Sequence, residues 1–529
     1  MKGDPNETLF PPPGRTPRED TAAVMKFFKL PKGFSADVMR EAKAISALEA
    51  DERSIARSGR LDLRKKFIFT CDPVTARDYD DAISLEKDRR GNRVLGVHIA
   101  DVSHYVKPGS AIDREAFRRS TSVYLADRVV PMLPEALSNG VCSLVPGEDR
   151  FAFSVFMTFD SSGEMTKRVF AKSVIRSRAR FTYEQVMRVI SGGRKAKGGP
   201  LGPKERAVVL AVNELARELR AKRFAAGALD IEIPEAELIL DGYGEMTGIV
   251  TRPYDDSHKM IEECMVAANE AVAKELWSNG VKILARLHEP PDEEKVMMLR
   301  AELRGLGVKV GNIENPKVFA QFLRSIKSHP LYPTIAVMAL RSMKRAVYDS
   351  TTMGHFGLAK RYYAHFTSPI RRYPDLTLHR QLAAYLDQKA GVKGASAKVS
   401  PGVLAKWAEH ASEMEEVAAE AERGLVEIKK YRLLESQLDS RQILDYDAVV
   451  SKCTPFGCFV EIPELAVSGL VHVSVLSRRF VRYNESDRTL SAPGGGSWRI
   501  GDRMKVHVAK VDFRQRRIDF TPCSHSRSR

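Results

Sequence analysis

Apolar positions along the chain change their period several times, and each change marks a structural unit. Between Ala36 and Arg57, Ala, Met, Ile and Leu recur at helical spacing among charged residues, which predicts a helix over 36–57. From Lys65 the period shortens. Phe67-Ile-Phe-Thr70 reads as a short strand. Val94-Leu-Gly-Val-His-Ile-Ala100 reads as another, and its almost unbroken apolar run predicts a place in the middle of a sheet. Phe151–Phe159 and Arg168–Ile175 flank Asp160-Ser-Ser-Gly163, the pattern of a hairpin. Helical spacing then dominates 204–226, 257–278 and 333–348, and a Glu- and Lys-rich stretch predicts a long helix over 403–438. Past Leu438, short segments broken by Gly and Pro predict a small β-barrel.

Polar and Pro/Gly-rich stretches separate these units. Residues 1–20 are Pro-rich and read as an extended lead-in, while 191–200 and 388–402 read as solvated loops. The expected fold class is α/β (α+β). A lead-in with a helical segment (1–60) precedes a mixed α/β domain (61–390), a helical connector (391–440), an all-β barrel (441–521) and a basic tail (522–529).

Charge narrows the function. The 84 Lys and Arg against 68 Asp and Glu leave a net charge of +16, which implies an anionic partner, nucleic acid first and an acidic membrane surface second. The six cysteines (71, 142, 264, 453, 458 and 523) are scattered, so no disulfide framework is expected and a reducing compartment fits. Cys453 and Cys458 read as small apolar residues, since no second pair or nearby His completes a zinc site. The first residues lack the apolar core of a signal peptide, and no apolar run approaches ~20 residues. A soluble, cytoplasmic protein without membrane contact is the expectation.

Against this basic background stand four aspartates within ten residues: Asp72, Asp78, Asp80 and Asp81. Carboxylates so close repel unless a cation sits among them, and a hard divalent ion with oxygen ligands suits them. A calcium loop is excluded, because Val74, Ala76 and Arg77 stand where its ligands and glycine would be. Mg²⁺ held by one or two carboxylates keeps positions for water and phosphate oxygens, and a pair of ions about 4 Å apart can serve an in-line displacement. Arg77 either pairs with a carboxylate or reaches for phosphate. A second dense segment runs from His365 to Asp375, with Arg371 and Arg372 between Pro369 and Pro374, and guanidinium forks of this kind suit phosphate. Tyr124 and the pair Glu262-Glu263 are further candidates; one acid of that pair is expected to face inward and to need a partner such as a ribose hydroxyl or an Arg.

Asp-x5-Asp-x-Asp-Asp (72–81), the segments 98–106, 130–139, 255–269 and 355–358, and His365–Asp375 together resemble the RNase II/RNase R (RNB) family, RNase R more than RNase II, over residues 20–521. The resemblance implies a 3′→5′ exoribonuclease that hydrolyses RNA processively to nucleoside 5′-monophosphates with Mg²⁺ or Mn²⁺. It implies Asp72, Asp78 and Asp81 as metal ligands, and Asp80 as the aspartate whose loss stops hydrolysis while binding survives. Arg371 would act at the scissile phosphate with Arg372 beside it. Tyr124 would clamp the terminal base, and Glu262 or Glu263, the latter favoured, would contact ribose. Segments 449–460, 468–474, 501–506 and 511–520 resemble an S1-type OB-fold RNA-binding domain. Phe456, Phe459 and His472 are its candidate base contacts, with Lys452 and Arg503 for phosphate. The expected partner is single-stranded RNA with a free 3′ end, and the expected state a monomer. Two departures stand out: family members usually carry cold-shock domains before the catalytic domain, and Tyr79 replaces a more usual Phe. The cold-shock departure motivates a rival expectation, a non-catalytic RNA-binding relative.

Overall fold

The computed structural model describes residues 10–47, 55–56, 58–192, 201–231, 235–311, 313, 315–329, 331–440, 443–485, 487–494 and 496–523. Its first strands are β1 (Leu61–Asp62), β2 (Phe69–Asp72), β3 (Asp81–Lys87), β4 (Arg93–Ala100), β5 (Val123–Leu125), β6 (Arg128–Val130), β7 (Asp149–Phe159), β8 (Met165–Arg176) and β9 (Ala179–Thr182). Seven of them form one sheet in the order β1-β8-β7-β4-β3-β2-β9, so the apolar β4 does lie at its centre. β7 and β8 are the predicted antiparallel hairpin.

The sheet is apolar because it is covered on both faces. Helices Pro203–Ala225 and Asp256–Ser278 bring Val209, Leu215, Met260 and Ala268 against Phe69, Leu95, Val97 and Phe153. Helix Ala36–Ser46 and helix Ala111–Arg119 bring Val38, Ala42, Ile112 and Ala116 into a second cluster with Ala82, Ala100 and Phe151. Each large aliphatic side chain so buried is worth about 1.5–3 kcal/mol. One polar cluster sits within the sheet: His98 on β4 meets Ser84 on β3 at 2.9 Å and Ser154 on β7 at 2.6 Å. A Cβ at Gly96 would stand 2.4 Å from Ser84 Oγ and 2.9 Å from the His98 ring, so only glycine fits beside it.

Two predicted helices end early. The one expected over 36–57 stops at Ser46, and residues 48–54 lie outside the described residues, as do 193–200 of the predicted basic loop and 524–529 of the tail. The one expected over 333–348 runs Tyr332–Ser342, after which Met343 is extended. Helical spacing at Val347 and Tyr348 is overridden by pairing. The hairpin β10 (Glu235–Leu240) and β11 (Met246–Arg252) is followed by β12 (Ala285–Leu287), against which β13 (Val347–Asp349) pairs.

The lead-in is fastened more firmly than its composition suggests. Asp20, on helix Asp20–Phe27, is fully buried and accepts from Lys429 Nζ at 3.0 Å and Arg432 Nε at 2.8 Å. Both cations belong to the connector helix Pro401–Asp439. Gly424 of that helix leaves room for Pro11, whose ring would lie 2.7 Å from an added Cβ. The connector delivers the chain to a closed barrel, β14 (Tyr446–Thr454), β15 (Gly457–Ile462), β16 (Val467–His472), β20 (Arg503–Asp512) and β21 (Arg517–Pro522), ordered β14-β15-β16-β21-β20. β17 (Arg482–Asn484), β18 (Thr489–Ala492) and β19 (Gly496–Trp498) form a separate three-stranded sheet, between β16 and β20 in sequence. No described helix is long and apolar enough to cross a membrane.

Candidate active site

β2 ends on Asp72 and its antiparallel neighbour β3 begins on Asp81, so the sheet itself places these two carboxylates at one end. The intervening loop is pinned by main-chain bonds. Tyr79 N donates to Ser143 Oγ at 3.0 Å, and Ser143 Oγ donates to Arg77 O at 2.8 Å. Arg180, on β9, donates to Pro73 O and Val74 O at 2.7 and 2.8 Å and lies over the Tyr79 ring. Tyr79 is buried, and its hydroxyl donates to Ala76 O at 3.0 Å, an extra tie that Phe would lack. Nothing in the residue pattern around Ser143 or Arg180 announced these roles.

Asp80 turns inward. Its Oδ1 accepts from Ile370 N at 3.0 Å, and its Oδ2 stands 4.0 Å from Arg371 Nε. The segment predicted to hold arginines in a fixed geometry does so. Ser368 N donates to Asp375 Oδ1, Arg371 Nη2 donates to Ser368 Oγ at 3.1 Å, and Pro374 sits in the first turn of helix Tyr373–Lys389. The Arg371 side chain keeps 40% exposure. Arg372 is different: its Nε and Nη2 donate to Asp375 at 2.9 and 2.8 Å in a fork that braces the turn. Burial disfavours its charge, but Asp375 outweighs that and raises its pKa. Arg372, expected beside Arg371 at the RNA, has its guanidinium paired with a carboxylate inside the protein.

The same holds for Glu263. Its side chain is 2% exposed, and both carboxylate oxygens accept from Arg223 Nε, at 3.1 and 3.2 Å. Glu262 is the more open of the two, shared between Arg223 Nη2 and the Tyr254 hydroxyl. The acid that faces inward is Glu263, and of the two expected kinds of partner it has an Arg. Tyr124, on β5, is 44% exposed, and its amide donates to Glu422 of the connector helix at 2.7 Å. Burial pushes its phenol up to about 12, with Arg371 opposing and Asp78 and Asp80 adding to the rise.

The residues fit a cation. Burial pushes Asp72 up to about 8, with the Asp81 and Asp78 charges adding to it. Burial likewise raises Asp81 to about 6 against the Arg371 charge. Asp80 is raised well above the carboxylate range by burial, opposed by Arg371 and the Ile370 amide. Asp72 Oδ2 is buried without a hydrogen-bond partner. A buried acceptor left so, at the edge of three further carboxylates, is what a divalent ion satisfies. Among the described residues, one trio of metal-ligand type has its ligand atoms within 4.8 Å of one another: Asp445, His507 and Cys523, in the barrel.

On the barrel, Gly457 pairs with His472 and Lys452 with Phe459, so the predicted base contacts share one region. Phe456 is 50% exposed and meets Phe459 edge-on at 6.1 Å, His472 is exposed, and Phe459 is half-buried. Lys452 and Arg503 are exposed.

Residues 60–388 match the RNB domain family, and 445–521 match the S1 RNA binding domain family. Ribonuclease R of Thermotoga maritima is 41% identical over 97% of this chain and 73% of its own length. The chain belongs to the ribonuclease R family. As a member it is a metal-dependent 3′→5′ exoribonuclease with RNA as its partner. Mycoplasma genitalium RNase R in complex with ribose-methylated single-stranded RNA superposes with a TM-score of 0.86 at 28% identity, over 96% of this chain and 78% of that one. Yeast Ssd1, a pseudonuclease, shares the fold with a TM-score of 0.67 at 22% identity, over 84% of this chain and 54% of that one. Fold alone thus leaves catalysis to be argued from the site, and the acidic and arginine segments are complete in this ribonuclease R homologue.

Proposed function

We propose that the chain digests single-stranded RNA from a free 3′ end, processively, releasing nucleoside 5′-monophosphates, with Mg²⁺ as its ion and Mn²⁺ as a substitute. The orphaned Asp72 Oδ2, with Asp81 at the adjoining strand end, carries this reading. Asp72, Asp78 and Asp81 would hold the ion, which when bound supplies Lewis-acid stabilisation of the phosphate and a more acidic water. The chain's own groups do the rest. Arg371, exposed and braced by Ser368, takes a non-bridging oxygen of the scissile phosphate and stabilises its developing charge. Asp80, fixed through Oδ1 by the Ile370 amide, presents Oδ2 to receive a proton. Tyr124 stacks on the terminal base, and Glu262 accepts from the terminal ribose hydroxyl. Phe456, Phe459 and His472 hold bases further along the strand, with Lys452 and Arg503 on its phosphates. A monomer working in the cytoplasm is proposed with it, supported by six free cysteines, five of them buried.

The deciding experiment uses Asp80→Asn and 5′-labelled single-stranded RNA with Mg²⁺. The variant should bind RNA within a few-fold of the parent and release no monophosphate. Normal release by the variant would sink the assignment of Asp80, and RNA bound without any shortening by the parent chain would favour a non-catalytic binder.

A further inference from the structure

β20 runs between β14 and β21, and its register gathers three unlike ligand types on one face of the barrel. Tyr446 pairs with Val506, so Asp445, one residue earlier, falls opposite His507. Pro522 pairs with the same Val506 from the other side, and Cys523 N donates to Lys505 O at 2.9 Å, which sets Cys523 level with Lys505. Lys505 and His507 are two apart on one strand, so all three candidate ligands project to one side. Tyr446 and Val506 are buried in the barrel core, which makes that side the outer one. Asp445 is exposed there, and His507 and Cys523 are half-exposed.

The side chains have met. Cys523 Sγ lies 3.0 Å from Asp445 Oδ1 and 3.8 Å from His507 Nδ1, and one ligand atom from each residue falls within 4.8 Å of the others. Tetrahedral zinc with bonds of 2.0–2.3 Å puts S···N and S···O about 3.5 Å apart, so adjustments of about half an ångström close the set. The neighbouring cation does not block it, because Lys505 Nζ is turned to Asp447 Oδ1 at 3.1 Å.

We propose that Asp445, His507 and Cys523 form a second metal site, for a borderline-soft transition ion of the Zn²⁺ class. A thiol sulfur and an imidazole nitrogen select against Mg²⁺, which takes oxygen, so the ion of the acidic cluster does not compete here. The Cys523 thiol gives its proton to solvent as the metal–sulfur bond forms, and water fills the fourth position. The ion ties the entry to the first barrel strand, a strand next to it and the end of the last strand into one clip. The other five cysteines are buried, so Cys523 is the accessible thiol.

The test uses the full chain, stripped with a chelator, returned to buffer with millimolar Mg²⁺ and titrated with Co²⁺ as an optical probe and then with Zn²⁺. A thiolate-to-cobalt charge-transfer band should rise to saturation at a single ion per chain and vanish on zinc addition. Cys523→Ser should lack the band, and His507→Gln and Asp445→Asn should bind at least tenfold more weakly. RNA degradation in Mg²⁺ alone should be unchanged in all three, which also verifies their folding. An absent band in the parent chain, or an equal band in Cys523→Ser, overturns the site; neither outcome bears on the assignment of the acidic cluster.

Discussion

Glu262 and Glu263 are neighbours on one helix, and a turn of about 100° between them separates two fates. Glu263 points into the protein and is spent on Arg223. Removing one member of a buried pair leaves an uncompensated charge, at about 3–5 kcal/mol. Glu263→Ala should therefore lower the midpoint of urea unfolding, whatever RNA is present. Glu262→Gln should unfold like the parent and lose roughly tenfold in its preference for a ribose over a deoxyribose 3′ terminus, the worth of one charge-assisted hydrogen bond. Equal effects of the two on unfolding would show that both are structural. The sequence exposed the pair but not its facing, since inwardness depends on where Arg223 sits, 40 residues away. The partner of Arg372 was hidden in the same way. Its neighbour Arg371 stays exposed, and only the turn shows that Asp375, three residues on, takes the second guanidinium.

At the scale of elements, strands were read well where hydrophobicity decided. β4 was legible as a central strand because burial on both faces leaves an apolar run, and β7–β8 because their turn is Asp-Ser-Ser-Gly. Val347 and Tyr348 were read as helix because their pairing partner, β12, lies some 60 residues earlier in sequence and leaves no local trace. The polar cluster inside the sheet has a measurable consequence. Burial, chiefly, depresses His98 from 6.5 to about 3, so the folded protein holds this imidazole neutral between Ser84 and Ser154. The unfolded chain binds a proton more readily there. The stability His98 confers is thus complete above pH 6.5 and declines as pH falls toward 3, by up to about 1.4 kcal/mol per unit. Unfolding free energies of the parent and His98→Gln, measured at pH 7.5 and pH 5, should differ in slope by that contribution. Parallel pH profiles would show that His98 does not titrate in this window.

For the whole molecule, the charge of +16 and the aromatic barrel face make one forecast about RNA. If about six phosphates are engaged, log affinity should fall against log salt with a slope of roughly −4. A flat response in filter-binding titrations would rule out a long basic track from barrel to acidic cluster. Assembly was only partly legible. Composition and period separated the RNB-type domain, connector and barrel, while the clasp of Asp20 on Lys429 and Arg432 joins residues over 400 positions apart and could not be read from either end. The metal trio in the barrel is similar: Asp445 and Cys523 are 78 residues apart, and only the strand register brings them together.

One bond spans the active site in a further sense. The Ile370 amide that holds Asp80 lies 290 residues downstream of it. A fragment that stops short of residue 370 would keep all four aspartates yet lack both the anchor for Asp80 and Arg371.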